Sequence, residues 1–278
     1  MQKSIVRVPE ATLQQPQLRS GDIIFMDYSD RGGLFRNSVL FDTYAFSFVQ
    51  NGEKQIFRAA GNTILKSGNG MLIPEGNSII AEHSDTAAPY QSVIVFFPGH
   101  LGKAFIASRS ARAPVGSTLT PYVHFKTNSY INEYVRHIQA LVAAGQQLSE
   151  ELAVLKVQEL LTATYEIAPS LLTSVFGINR NLNLKQLIET NLQHGLTLAE
   201  LAFLANRSLS SFKRDFEKIY GVSPQRYIRD RRLELAGKDL ALGRSAGEIY
   251  LDYGYQHLSN FNTAFKRKFG VLPSGYQP

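Results

Sequence analysis

Cysteine and tryptophan are absent from this chain of 278 residues. Without cysteine the protein has no disulfide bonds, no thiolate nucleophile and no cysteine-ligated zinc. No stretch approaches the roughly 18 consecutive apolar residues that a membrane helix requires. The first nine residues carry charge but lack the apolar core of a signal peptide. We therefore expect a cytoplasmic protein that does not insert into a membrane.

Positive charge is unevenly distributed along the chain. Residues 1–170 hold 14 basic and 14 acidic side chains, whereas residues 171–278 hold 15 basic and 9 acidic ones. The whole net charge of +6 therefore lies in the second part. Such a concentration favours a polyanionic partner for that part, above all nucleic acid.

The front part, up to about residue 125, has the pattern of short strands. The runs 23–26, 44–49, 55–58 and 92–97 are rich in β-branched and aromatic residues and are bounded by turn formers. Asn51-Gly52, between two of these runs, suits a type I′ hairpin turn because both positions tolerate positive φ. Many short strands at close spacing predict a small β-barrel or sandwich.

Two amphipathic helices follow, at about residues 130–166. Their apolar stripes indicate either that they cover the barrel or that they form the interface of a homodimer. The periodicity breaks between Pro169 and Asn181. The expected domains are therefore 1–170 and 171–278, and at roughly 100–200 residues per domain the length agrees with two.

The second domain contains an internal repeat. Phe212, Phe216 and Gly221 recur 49 residues later as Phe261, Phe265 and Gly270. A capping box at 197–200, in which a hydroxyl and a glutamate satisfy the first backbone N–H groups of a helix, recurs at 245–248. Each copy predicts a helix, a short turn and a second helix.

The second helix of each copy is expected to present polar side chains outward. In the first copy Phe212, Phe216 and Ile219 are predicted to pack inward, which leaves the start of the helix exposed. A helix-turn-helix places that part of its second helix in the major groove of DNA. Ser223-Pro224 begins a connecting helix that reaches about Leu242, and some 18 residues span about 27 Å. Two such units on one chain predict a bipartite DNA site.

These residues resemble the AraC/XylS family of bacterial transcription regulators over about 181–278. The resemblance is carried by the stretches Leu201 to Ala205, Ser208 to Phe216, Gly221 to Pro224 and Arg232 to Ala236. Its most specific part runs from Gly254 to Phe261 and from Phe265 to Pro273. Tyr250, where the family usually has alanine, and Gly237, inside the connecting helix, depart from the pattern.

The resemblance implies double-stranded DNA as the partner and assigns contacts by position. The implied base contacts are Ser210, Lys213 and Arg214 in the first unit, and Leu258, Ser259, Asn260 and Thr263 in the second. The implied phosphate contacts are Arg207, Lys266, Arg267 and Lys268. Arg214 suits a two-pronged contact to guanine, and Asn260 suits adenine.

The front part resembles, more weakly, the cupin-like β-barrel that regulates members of this family, through residues 61–81. A small effector would contact Tyr44, Phe46, Phe48 and Arg58, unless these residues only fill the barrel. In that case a regulatory protein or self-association controls activity. The six histidines contain no His-x-His pair, so no metal, cofactor or catalytic residue is expected.

The sequence therefore predicts a two-domain, non-enzymatic transcription regulator. We expect a cupin-like β-barrel with C-terminal helices, followed by an all-α domain with two helix-turn-helix units. The protein is expected to be a homodimer and an activator that recruits RNA polymerase. Two alternatives remain: a metal-dependent cupin enzyme fused to a DNA-binding tail, and a non-specific architectural DNA binder.

Overall fold

A computed structural model describes residues 5–31, 36–84, 88–109, 122–176, 183–192 and 194–276. The chain divides into two compact units, Met1–Asn181 and Leu182–Pro278. The division falls later than the sequence-predicted one after residue 170, because the residues that follow form a helix belonging to the front unit. Leu172, Val175 and Phe176 of this helix are buried in that unit's core.

Eleven strands of the front unit are described. They are β1 Val6–Val8, β2 Gln17–Ser20, β3 Ile23–Asp30, β4 Asn37–Phe41, β5 Tyr44–Asn51, β6 Glu53–Arg58, β7 Gly61–Lys66, β8 Asn69–Ile73, β9 Gly76–His83, β10 Tyr90–Phe97 and β11 Val123–Lys126. They form two sheets, in the orders β1-β4-β9-β6-β7 and β11-β8-β5-β10-β3-β2. Among the described strands, β1 and β4 are the only pair that runs in parallel.

These two sheets form a sandwich, and the predicted barrel does not close among the described strands. The hairpin predicted at Asn51-Gly52 is also wrong. β5 pairs with β8 and β10, whereas β6 pairs with β7 and β9. The turn therefore carries the chain from one sheet to the other. Gly52 has φ +82°, and a Cβ there would stand 2.3 Å from the His83 carbonyl oxygen. Only glycine fits a turn packed so closely against β9.

The six-stranded sheet is buried on both faces. One face packs against the other sheet through a core that includes Ala45, Val49 and Phe96. The other face packs against helices α1 Gly99–Ala107, α2 Ser129–Ala143, α3 Glu150–Ile167 and α4 Pro169–Phe176. The helices predicted at 130–166 are confirmed. The apolar stripe of α2 is buried against the sheet, so this helix covers the sandwich.

The second unit is helical. Its helices are α5 Leu184–Asn191, α6 Leu198–Leu204, α7 Leu209–Tyr220, α8 Pro224–Ala241, α9 Ala246–Ile249 and α10 Leu258–Phe269. α8 is the predicted connecting helix, with Ser223 as its N-cap and Pro224 at its first position. Across the described residues, no helix has both the length and the apolarity needed to cross a membrane.

Candidate nucleic-acid interface

The first helix-turn-helix consists of α6 and α7. Thr197 Oγ1 accepts a hydrogen bond from the Glu200 N–H, and the Glu200 carboxylate accepts one from the Thr197 N–H, so the predicted capping box is present. Asn206 turns the chain with φ +54°, and Ser208 caps α7. The buried Phe212 and Phe216 then fix one face of α7 inward.

The opposite face of α7 carries the predicted base contacts. Ser210 is exposed, Lys213 is half-buried and the Arg214 side chain is 74% exposed. Ile219 was predicted to pack inward but is 60% exposed. Tyr220 takes the inward place instead, with its ring centroid 4.6 Å from that of Phe216. The exposed surface of α7 is therefore mostly polar, apart from Leu209 at its start and Ile219 near its end.

The second helix-turn-helix consists of α9 and α10. Glu248 accepts hydrogen bonds from the Ser245 N–H and hydroxyl at the start of α9. Phe261 and Phe265 are fully buried and fix the orientation of α10. The predicted base contacts all lie on its exposed side. They are Leu258, Ser259, Asn260 and Thr263.

The four predicted phosphate contacts differ in their surroundings. Lys266 and Arg267 are exposed on α10 and form no ion pair with a described residue. Arg207 forms an ion pair with Asp215, eight residues along the chain, while 42% of its side chain stays exposed. Lys268 is only 20% exposed, and its Nζ lies 2.9 Å from Glu234 Oε1 on α8. The structure thus gives Lys268 an interhelical contact, because its helix position faces α8.

A chain of ion pairs connects α5 to α10, in the second helix-turn-helix, through α8. Arg231 binds Glu189 on α5 at 2.8 Å and also binds Glu234, which in turn binds Lys268 on α10. Hydrogen bonds from Arg231 lower the pKa of Glu189. Burial alone would raise the pKa of Glu234, but hydrogen bonds from Lys268 and Arg231 lower it. Of these ion pairs, only the one between Arg231 and Glu234 could be expected from the sequence, because residues three positions apart on a helix are neighbours.

The structure also accounts for Gly237, the departure noted in the connecting helix. Gly237 is buried, and a Cβ there would stand 3.2 Å from Cε1 of Tyr276. The Tyr276 ring also packs against Phe265 and Phe269, with centroids 5.1 and 4.9 Å away. Glycine therefore leaves room for an aromatic side chain that supports α10.

The four candidate effector contacts lie in the core of the front unit. Tyr44, Phe46 and Phe48 alternate along β5 toward the helices, not toward the other sheet. Tyr44 stacks on Phe176 at a centroid distance of 4.9 Å. Arg58 is buried and donates hydrogen bonds to the carbonyl oxygens of Pro74 and Glu75. All four therefore have packing or backbone-holding contacts.

A polar network that the sequence reasoning missed lies between the sheets. Lys54 and Glu82 are directly opposite each other on β6 and β9, and their charged atoms are 3.1 Å apart. Lys54 donates a hydrogen bond to Ser47, and Tyr28 donates one to Glu82. Burial raises the pKa of Tyr28. The sequence did contain a signal, because alternate residues of a strand face the same side of the sheet. Lys54 and Glu82 each lie two residues from a buried isoleucine.

No cluster of three metal-ligating side chains occurs within the described part of the chain. His83 lies 3.1 Å from Glu53 at the surface. Burial lowers the pKa of His124 on β11. These two histidines therefore have separate surroundings in the front unit.

Comparison with known proteins finds a family match in each of the two units. Residues 201–278 match a family described as a helix-turn-helix domain, and residues 44–175 match the ExsA N-terminal regulatory domain. The XylDLEGF operon transcriptional activator of Pseudomonas putida is 44% identical over 93 residues, which are 32% of this chain and 29% of that protein. The chain thus spans under a third of that relative's length.

Two longer similarities include the front unit. The thermoregulatory protein LcrF of Yersinia pestis is 25% identical over 228 residues, which cover 78% of this chain and 83% of that protein. A solved structure of ToxT from Vibrio cholerae aligns with 92% of this chain and 97% of its own, with 13% identity and a TM-score of 0.41. These matches confirm the resemblance of the two domains of this chain to the AraC/XylS family of transcription regulators.

Proposed function

We propose that this protein is a sequence-specific DNA-binding transcription regulator that activates its target genes by recruiting RNA polymerase. The observation that carries the proposal is the pair of equivalent helices, α7 and α10, each fixed inward by two buried phenylalanines and mostly polar on its exposed side. The 18-residue helix α8 connects the two helix-turn-helix units along the chain. The two helices enter successive major-groove faces of one duplex, about 34 Å apart.

Selection of binding sites from a random pool of DNA duplexes tests this function. The full-length protein at physiological salt is expected to enrich a bipartite motif with half-sites about one helical turn apart. Tight binding without enrichment would instead identify a non-specific architectural protein. Stoichiometric iron, manganese or zinc in the purified protein would revive the alternative of a metal-dependent enzyme.

The front unit is proposed to form the homodimer. Tyr130, Leu152 and Leu155 are each 50% exposed or more on α2 and α3, and a groove of about 430 Å³ lies between these helices. Exposed apolar surface of this kind is typical of an interface. A dimer also places two DNA-binding units on one complex and raises its avidity.

Sedimentation of the full chain at tens of micromolar tests the dimer. The unaltered protein is expected to sediment as a dimer, and Leu152→Glu with Leu155→Glu as a monomer. Leu251→Glu is the matched control, since Leu251 is 63% exposed but lies in the second unit. A monomeric unaltered protein, or a dimer that survives the double substitution, contradicts the proposed interface.

Control of the regulator is proposed to act through the front unit, by a small effector or a regulatory protein. The relatives support this division, since the matched domain is described as regulatory. A melting-temperature screen of the full chain against small organic acids and sugars distinguishes the two. A stabilising compound that also changes DNA affinity supports an effector, whereas no such compound favours a regulatory protein or self-association.

A further inference from the structure

A cleft of about 370 Å³ lies between the connecting helix α8 and helix α10. We call α7 and α10, the second helices of the two helix-turn-helix units, the recognition helices. Leu233 and Ala264 form the apolar part of the cleft. Its charged walls are formed by Arg226, Arg229, Asp230, Arg267 and Lys268. All of them except Arg267 and Lys268 lie on α8, which is outside the helix-turn-helix units themselves.

The charges of this cleft do not cancel. Asp230 is its one carboxylate, and it faces Arg229 at 3.2 Å and Arg226 at 3.6 Å. Lys268 is neutralised by Glu234, which lies outside the cleft lining. Arg267 has no carboxylate within ion-pair distance among the described residues. Three guanidinium groups and one carboxylate therefore leave two positive charges uncompensated.

One of the three arginines, Arg229, is also positioned in advance. Nε and Nη2 of Arg229 both donate to Asp230 Oδ1 at 3.2 Å, which restricts the orientation of this guanidinium group. A side chain that is already held loses less conformational entropy when it binds a ligand. Burial raises the pKa of the nearby Tyr255 hydroxyl, and the charges of Arg229, Arg232 and Arg267 oppose that rise. Two guanidinium groups of the cleft, those of Arg229 and Arg267, thus lie within electrostatic range of the Tyr255 hydroxyl.

The cleft is continuous with the recognition surface of α10. Arg267 lines the cleft and also lines a recess with Asn262, Thr263, Lys266 and Gly270. Side chains at the edge of a helix that enters the major groove meet the phosphates bordering that groove. Guanidinium groups bind phosphate oxygens in a two-pronged geometry that lysine does not offer.

We infer that this cleft binds a phosphate of the DNA backbone between the two half-sites, with Arg226, Arg229 and Arg267 as its ligands. The inference rests on the proposed DNA-binding function and adds to it two arginines of the connecting helix. α8 then has two roles, as the spacer between the recognition helices and as a clamp on the backbone that separates the half-sites.

The test compares the full chain with the Arg226→Ala/Arg229→Ala variant on a selected duplex and on a random duplex. The double variant is expected to weaken binding to both duplexes by the same factor. It should lower the slope of log affinity against log salt by about one. The ranking of base substitutions in the selected site is expected to stay the same.

Two controls separate the phosphate contact from a general loss of charge or fold. Lys238→Ala removes a positive charge from the exposed opposite side of the same helix and is expected to leave the salt slope unchanged. Arg229→Lys keeps the charge but not the two-pronged geometry, so its affinity is expected to be intermediate. Helical circular dichroism should be equal for all variants.

Each result that would contradict the inference points to a different error. An unchanged salt slope in the double variant, or a changed base preference, overturns the phosphate assignment. If inorganic pyrophosphate binds the unaltered protein but not the double variant, and the DNA slope is unchanged, the cleft takes a free phosphate and the backbone role is wrong. If the unaltered protein selects no DNA site, the proposed function fails first.

Discussion

The Arg214 side chain projects from α7 with 74% of its surface exposed, and its nearest carboxylate, Asp215, is 3.6 Å away. Arg214→Ala is expected to cost about 1–3 kcal/mol of binding free energy on the selected duplex and to relax preference at one base position. Titration of base-substituted duplexes measures both effects. Arg214→Lys, which keeps the charge, is the control. Equal losses on selected and random DNA would remove Arg214 from base recognition.

The buried pair between the sheets predicts a large effect of one substitution on stability. Lys54→Met leaves the Glu82 carboxylate buried without its cation, and breaking such a pair costs about 3–5 kcal/mol. Lys54→Met combined with Glu82→Leu is expected to recover most of that loss. Urea unfolding followed by circular dichroism gives the free energies, since the chain has no tryptophan.

The surface offers a matched comparison for that pair. Lys66 lies 3.4 Å from Glu53, but its side chain is 67% exposed. Lys66→Met is therefore expected to change the free energy of unfolding by about 0–1 kcal/mol. A similar loss of unfolding free energy for Lys54→Met and Lys66→Met would show that burial does not increase the cost of breaking the Lys54 pair.

Among the secondary-structure elements, α8 offers a test of whether Gly237 is needed to leave room for Tyr276. Gly237→Ala should stabilise a helix interior by about 1 kcal/mol, but its Cβ would press on Tyr276. In a Tyr276→Ala background that obstacle is gone, so the full gain is expected there and a smaller gain or a loss in the unaltered chain. The unfolding free energies of the unaltered chain, the two single variants and the double variant form a double-mutant cycle. Identical effects of Gly237→Ala in both backgrounds would contradict the packing account.

Local patterns predicted the helical elements well, for a physical reason. Capping residues, the proline that begins α8 and the repeated phenylalanines act within a few residues along the chain. The switch of sheet at Gly52 was not predictable in this way, because it depends on contact with His83, 31 residues away. The role of Lys268 likewise depends on Glu234 in another helix. Pairing over such distances leaves little trace in a single sequence.

For the whole molecule, the ion pairs predict a stability that falls in acid. Folding lowers the pKa of Glu189 and of Glu234. A carboxylate of this kind stabilises the fold above its unfolded pKa, about 4.3. That stabilisation is lost as pH falls through the lowered folded value. The free energy of unfolding of the second unit is therefore expected to decline below about pH 5.

Unfolding of Glu189→Gln across this pH range measures the contribution. The variant is expected to be less stable than the unaltered chain at pH 7 and to lose less stability on acidification. Glu217→Gln is the control, since Glu217 is exposed on α7 and has no ion pair with a described residue. Parallel acid curves for Glu189→Gln and the unaltered protein would exclude Glu189 as a source of the dependence.

Under the proposed function, the uninterrupted α8 also has a consequence for how target promoters change over generations. A base substitution in either half-site removes one contact and weakens regulation in steps of about 1–3 kcal/mol. A single base pair inserted between the half-sites turns one of them by about 35° around the duplex, beyond the reach of a recognition helix held by a rigid spacer. Genes are therefore expected to enter this regulon gradually, through substitutions, and to leave it abruptly, through insertions or deletions.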